Sequence, residues 1–267
     1  MIIDAHTHIH LDPGVNGQEI KDLLAAMDDA GIDKAAVFAA SINGLPTERV
    51  IAETEPHRDR LFVVGCVSPL MKGYDTAPWI VDRWLAEGDI RALKFYTGYE
   101  HFFPADPRLR QYMHLLVKHD RPAIFHSGDL YDKIPGAKLK YSRPIEVDEL
   151  AAEMPDLKIV IAHMGSPWFE DAAQVCYKNK NVYADTSGFV YGGFGPDQQR
   201  RFAEGWGKFD DIMEGGAADK ILFGTDWPIS GMNSYIETVR GLVGGLLGDD
   251  VKTEKVFRTN AEKVFGL

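Results

Sequence analysis

Eight short runs rich in β-branched and aromatic residues, at 2–6, 35–40, 61–67, 91–96, 122–126, 158–162, 181–185 and 221–224, recur along the 267-residue chain and read as strands. Between them lie segments of helical spacing, such as 18–30, 107–119 and 145–154, whose lengths suit crossover helices joining parallel strands. Eight strand–helix units over this length fit one closed barrel, since barrels of roughly 250 residues fold around a single core. An open doubly wound sheet usually carries a glycine-rich phosphate loop after its first strand, where this chain has His-Thr-His. The expected architecture is a single-domain (β/α)8 TIM barrel over 1–267. An extra C-terminal helix at about 253–265 is placed to pack across one barrel end. The longest irregular stretch, 128–144, reads as a loop after the fifth strand, and long loops at that end of a barrel are usually functional.

Composition narrows the function classes. A formal net charge of −11 argues against a nucleic-acid footprint, which needs clustered Lys and Arg, and points to a small-molecule substrate. With 45% hydrophobic and 26% charged residues, the chain resembles an ordinary soluble protein. The two cysteines, Cys66 and Cys176, supply neither a disulfide framework nor a thiolate metal site. The chain opens on a strand-like run with no basic leader, and it has no stretch of about 20 apolar residues. These features set the expectation of an unprocessed cytoplasmic protein without a membrane partner. There is no dinucleotide or P-loop signature, so neither NAD nor ATP is implied.

The chemistry sits at strand ends. In Asp4-Ala5-His6-Thr7-His8, residues two apart on an extended strand face the same side, which brings two imidazoles together. His126 closes the fifth strand and His163 the sixth, each just before a turn. A single histidine there is commonly a satisfied core residue, but several at equivalent strand ends converge on the barrel mouth where such enzymes work. Asp226, in Gly224-Thr225-Asp226-Trp227-Pro228, follows the eighth strand and lies beside the first after closure; an Asx turn before Pro228 is the alternative. Imidazole and carboxylate donors suit one divalent ion, Zn²⁺ first, with Mn²⁺, Fe²⁺ or Co²⁺ as alternatives, in an open catalytic site. Such an ion makes hydroxide available at neutral pH, with Asp226 holding or accepting the water proton and His163 acting as acid or oxyanion stabiliser. Lys94 ends the fourth strand and also points to this rim. It reads as a charge-pairing or substrate-carboxylate residue, the alternative being a carbamylated lysine bridging two metals. Tyr96, Trp168 and Trp227 follow strand ends as candidate pocket walls, and Asp185 and Ser187 as groups behind the ligands. His10, His57, His101, His114 and His119 are assigned to structure or surface, His101 being the nearest to an exception.

These motifs resemble the amidohydrolase-related TIM-barrel metal-dependent hydrolases, in the branch containing aminocarboxymuconate semialdehyde and resorcylate decarboxylases. The resemblance covers nearly the whole chain. It is carried by Asp4-x-His6-x-His8, His126-Ser127-Gly128, the run from Pro155 to Gly165, Asn181 to Gly188, Gly224 to Pro228, and Asn260-Ala261-x-x-x-Phe265-Gly266. It implies a mononuclear, usually zinc, centre held by His6, His8, His126 and Asp226, with His163 as the catalytic histidine, and it carries an expectation of a homo-oligomer. The chain departs from larger decarboxylase members in having only residues 9–16 between the first strand and its helix. The substrate lid is therefore sought in 129–144, where Lys133, Lys138, Lys140 and Arg143 stand as carboxylate-holding candidates.

The leading function is hydrolysis of an amide, ester or lactone in a small carboxylated compound by metal-activated water. Non-oxidative decarboxylation of an aromatic or enoic acid is the rival, favoured by a basic residue placed to hold the leaving carboxylate. A non-catalytic binding barrel is a third reading, and a donor at each expected strand end argues against it.

Overall fold

Alternation along each strand decides which side chains fill the barrel and which meet the helices. The computed structural model describes residues 1–11, 17–188, 195–247 and 250–267. Strands β1 (Ile3–His8), β2 (Lys34–Phe38), β3 (Leu61–Cys66), β4 (Ala92–Phe95), β5 (Ala123–Phe125), β6 (Ile159–Ile161), β7 (Val182–Asp185) and β8 (Ile221–Leu222) form one parallel sheet in chain order. Past the short β8 the ladder closes onto β1, with Ala5 N donating to Phe223 O at 2.8 Å, Asp226 N to His6 O at 2.8 Å and His8 N to Trp227 O at 2.7 Å. All eight expected strands occur. Their ends shift: β1 runs on to His8, while β8 stops at Leu222 because Gly224 N turns to Thr186 Oγ1 instead of a neighbouring strand carbonyl.

Ala36, Phe38, Phe62, Val64, Ile124 and Val160 point inward and make a core of their own, whereas Val37, Val63, Leu93, Phe125 and Ile161 join the larger core beneath the helices. Period-two alternation with both faces apolar is what a fully covered parallel sheet requires. The crossover helices begin close to where expected. The first is Ile20–Ala30, two residues later than its start in the sequence reading because Glu19 and Asp22 cap each other's backbone N–H groups. The segments at 107–119 and 145–154 each open with a 3-10 turn, Pro107–Leu109 and Pro144–Glu146, before becoming α-helical. Of the link at 9–16, residues 12–16 lie outside the described residues. No helix among the described residues is long and apolar enough to cross a membrane.

The C-terminal helix begins earlier than 253, with Asp250–Glu254 running through one π turn, Lys255–Thr259, into Asn260–Phe265. Ala261, Val264 and Phe265 enter the inner core, and the Phe265 ring lies 5.0 Å from that of Phe62, near the start of β3. The helix thus plugs the amino end of the barrel. Asn260 Nδ2 ties it to the carbonyls of Ala218 and Ile221, each at 2.7 Å. Truncating a fully buried ring leaves a cavity as well as losing burial, so Phe265→Ala is expected to cost about 3–5 kcal/mol. Urea denaturation checks this, and a loss below about 1 kcal/mol would remove the plug from the fold's main supports.

Candidate active site

The opposite, carboxyl end of the barrel carries the polar residues. Asp4, fully buried, accepts from Thr225 Oγ1 at 2.6 Å, Thr225 N at 3.0 Å and His6 N at 3.1 Å. One carboxylate therefore staples the end of β1 to the segment after β8, which sets Asp226 against both first-strand histidines. Asp226 Oδ1 lies 3.3 Å from His8 Nε2 and 3.8 Å from His6 Nε2. The His6 ring is stacked flat on Phe38 at 4.0 Å, so an inward core residue of β2 fixes its plane.

Hydrogen bonds settle which nitrogens carry protons. His163 Nδ1 lies 3.0 Å from the Ser187 carbonyl, which can only accept, so Nδ1 donates and Nε2 keeps its lone pair in the neutral ring. His126 Nε2 faces the Asp129 carbonyl at 3.0 Å, so its Nδ1 is likewise bare. These two bare nitrogens face each other at 3.2 Å. His6 Nδ1 meets Asp185 Oδ2 at 3.0 Å and Ser187 Oγ at 2.8 Å, which leaves His6 Nε2 as a lone pair toward Asp226. Burial, then the nearby Lys94 charge, pushes the His6 imidazole down to about 3. Burial also lowers His163, and it lowers His126 further with the help of His163 and Lys94. Against the cost of burial, the His8 hydrogen bond and the neighbouring imidazoles hold Asp226 below the usual carboxylate range.

Bare imidazole lone pairs on His6 and His126 and an ionised Asp226 carboxylate are a donor set that a divalent cation satisfies. His6, His8 and Asp226 have ligand atoms close enough to share one ion. The ligand atoms of His6, His163 and Asp185 gather in a second cluster. There the Nδ1 atoms already donate to Ser187 and Asp185, so it is a hydrogen-bonded hub behind the first cluster. Asp185 accepts from His163 N and Ser187 N, each at 3.0 Å, and from the Ser187 hydroxyl. A carboxylate that orients a ligand histidine through its far nitrogen is the usual support of a metal site.

Backbone strain gathers at the same place. Asp226 (φ 62°), His163 (φ 60°) and Met164 (φ 48°) are left-handed without being glycine. Such conformations cost on the order of 1–3 kcal/mol each and cluster where function over-determines geometry.

A profile of the amidohydrolase family matches residues 3–267. The chain belongs to the amidohydrolase family. Solved structures of like fold include 2,6-dihydroxybenzoate decarboxylase from Rhizobium, 18% identical, TM-score 0.70, covering 99% of this chain and 98% of that one. A second is 5-carboxyvanillate decarboxylase from Novosphingobium aromaticivorans, complexed with manganese and a nitrobenzoic acid, at 16% identity and TM-score 0.69, covering 100% and 96%. A third is a probable 2-pyrone-4,6-dicarboxylic acid hydrolase from Acinetobacter baumannii with citric acid bound, at 16% identity and TM-score 0.71, covering 100% and 99%. Comparison with curated proteins gives no match.

In this amidohydrolase-family barrel the histidine and aspartate groups open into a cavity of about 590 Å³. His6, His8, His126, His163, Asp226, Lys94 and Tyr96 all line it. Three other residues read as substrate contacts lie elsewhere. Arg143 places its guanidinium 4.5 Å over the Trp168 ring and pairs with Asp171, so both are occupied by packing against the helix Phe169–Lys178. Trp227 is buried and bridges to Thr7 in closing the barrel. The loop after β5 does reach the cavity, through Tyr131, Lys133 and Ile134, and its ends are held together where Gly128 N donates to Ser142 O at 2.7 Å. His101 meets the Gly136 carbonyl at 2.7 Å and stays outside the lining. Sequence reasoning missed Tyr99, whose ring lies 4.7 Å from that of His126; its position three residues beyond Tyr96 in a post-strand turn was the available signal.

Proposed function

We propose that this amidohydrolase-family barrel is a metal-dependent hydrolase acting on a small carboxylated amide, ester or lactone. The observation that carries the reading is the pinned tautomer of His163. With Nδ1 committed to the Ser187 carbonyl, its neutral ring presents a bare Nε2 in the cavity that also holds Asp226, and that nitrogen can accept a proton but has none of its own to give. Hydrolysis begins with removal of a proton from water, whereas decarboxylation needs a proton delivered to carbon.

His6, His8, His126 and Asp226 would hold the ion, zinc by donor chemistry, with manganese present in the carboxyvanillate decarboxylase of like fold. Bound there, a divalent ion lowers the pKa of a water to about 7 and polarises a carbonyl oxygen. Asp226 orients the attacking water. His163 Nε2 accepts its proton as the water oxygen bonds to the acyl carbon, then returns that proton to the departing nitrogen or oxygen as the scissile bond breaks. Asp185 and Ser187 keep His6 and His163 in the required tautomers throughout.

Decarboxylation of an aromatic or enoic acid is the second reading. The observation that favours it is Lys94, a buried cation on the cavity wall where a leaving carboxylate could be held.

Elemental analysis of protein purified without added metal tests the centre. About one equivalent of a transition metal in the wild type, lost in His6→Ala and in His8→Ala, is expected, and its absence even after reconstitution would remove the metalloenzyme reading. Turnover of lactones, esters, amides and aromatic acids in ¹⁸O-water then separates the reactions. Label in the product acid marks hydrolysis, and released CO₂ with no label in the organic product marks the lyase.

A further inference from the structure

The histidines and Asp226 stand on or just after β1, β5, β6 and β8, whereas the turns after β2 and β4 give the cavity Ile42, Asn43 and Tyr99. One buried side chain holds those turns together. Glu100, 4% exposed, accepts from Ser41 Oγ at 2.8 Å and from the Ser68 hydroxyl, so a single carboxylate joins the turns after β2, β3 and β4. Ser68 Oγ already accepts from Leu70 N at 3.0 Å and from Met71 N at 2.9 Å, which leaves its own proton for Glu100. A carboxylate is costly to bury, and two hydroxyl donors are what make it tolerable there.

The links run on into the cavity wall. Glu100 N donates to Tyr96 O at 2.8 Å, and Glu100 O accepts from Gly98 N and Phe102 N, each at 3.1 Å, which fixes the turn that carries Tyr99. The Tyr99 ring lies 4.7 Å from that of His126, and its hydroxyl accepts from Tyr131 N at 2.9 Å. Lys138 N donates to Gly98 O at 2.8 Å, so the loop after β5 hangs on the same turn. From the β3 turn, the Tyr74 hydroxyl donates to Ala40 O at 3.0 Å. Two of the three linked residues adjoin a wall residue in the chain: Ser41 precedes Ile42, and Glu100 follows Tyr99.

We propose that Glu100 is a positioning residue: it clamps the turns after β2, β3 and β4 into one rigid wall, on which the binding of a substrate's body depends while metal binding does not. The proposal rests on reading this cavity as the active site. Removing the carboxylate leaves two buried hydroxyls without an acceptor and frees the turns, whereas a Gln amide can accept from Ser68 and donate to Ser41.

The test compares wild type, Glu100→Ala and Glu100→Gln by hydrogen exchange and by calorimetric titration of the metal-loaded proteins. The probes are benzohydroxamic acid and acetohydroxamic acid, which share a metal-chelating head and differ by a ring against a methyl group. In Glu100→Ala, exchange should rise by about 10-fold or more at 40–45, 68–74 and 97–102 together, with β1 and β5–β8 unchanged. The ring's affinity advantage should fall by about 10-fold in Glu100→Ala and stay within about 3-fold of wild type in Glu100→Gln, with acetohydroxamic acid affinity and metal content constant. Exchange that rises at 97–102 alone overturns the clamp, and so does an unchanged ring advantage in Glu100→Ala. Loss of metal in Glu100→Ala, or a Gln variant as weak as the Ala variant, overturns it as well, by making the metal site or the charge decisive. If Glu100→Ala does not fold, Ser41→Ala cuts the β2 link alone and should raise exchange at 40–45 and lower the ring advantage by about 3-fold or more, its failure to do so being equally fatal. If the wild type takes up no metal, the metal-dependent function fails and the exchange pattern alone decides the clamp.

Discussion

Asp226→Asn should lower kcat/KM for any substrate this barrel turns over by about 10³-fold while leaving the fold intact. Asn is the informative replacement because Asp226 sits at φ 62°, and Asn is among the few side chains that enter the left-handed region with little penalty. The backbone hydrogen bond from Asp226 N to His6 O, at 2.8 Å, closes the barrel and does not depend on the side chain. What changes is charge: a carboxylate held ionised beside His6, His8 and His163 becomes a neutral amide. Metal affinity and the orientation of the attacking water should both suffer. A thermal midpoint within about 3 °C of the wild type, read by circular dichroism, would tie the loss to chemistry, because a stability change of 1 kcal/mol moves a domain of this size by only about 2–4 °C. A variant keeping a third or more of wild-type activity would remove Asp226 from the reaction.

How much of this could be read in the sequence depended on how local the determining physics was. The strands were legible because inward and outward neighbours on a covered sheet obey a period of two, and the four cavity histidines were legible because each stands at a strand's carboxyl end. Lys94 followed from the same alternation, two residues after Ala92 and two before Tyr96. Arg143 stands outside the cavity lining and pairs with Asp171, which lies on a helix after the next strand, and the competition between a cavity and a salt bridge is decided by tertiary packing. Trp227 is buried outside the cavity lining, and its backbone pairs with Thr7 because the ladder that closes the barrel continues beyond the last regular strand. The proton positions on His126 and His163 were out of reach altogether. They are fixed by the carbonyls of Asp129 and Ser187, and no side-chain pattern announces where a backbone oxygen points.

The closeness of that backbone to the site gives the second large effect, at Gly188. A β-carbon added there would stand 2.5 Å from His163 Nδ1 and 2.9 Å from Asp226 Oδ2, nearer than such atoms approach. His163 cannot step aside freely, because its Nδ1 is held by the Ser187 carbonyl and lies 2.9 Å from the Ser187 hydroxyl. Gly188→Ala should therefore move the imidazole and the carboxylate apart and lower kcat by roughly 10²-fold or more, as small displacements of reacting groups do. The residue also sits at φ 65°, so alanine carries a backbone penalty of about 1 kcal/mol or more whatever surrounds it. Gly31→Ala isolates that part. Gly31 has φ 67° at the end of the helix Ile20–Ala30, and nothing lies within 4 Å of where its β-carbon would be. The two variants should lose similar stability to urea from backbone strain, with any extra loss at Gly188 coming from crowding, and only Gly188→Ala should lose activity. Comparable activity in both would mean that His163 and Asp226 tolerate displacement, and the tautomer-pinned base would have to be given up as the centre of the reaction.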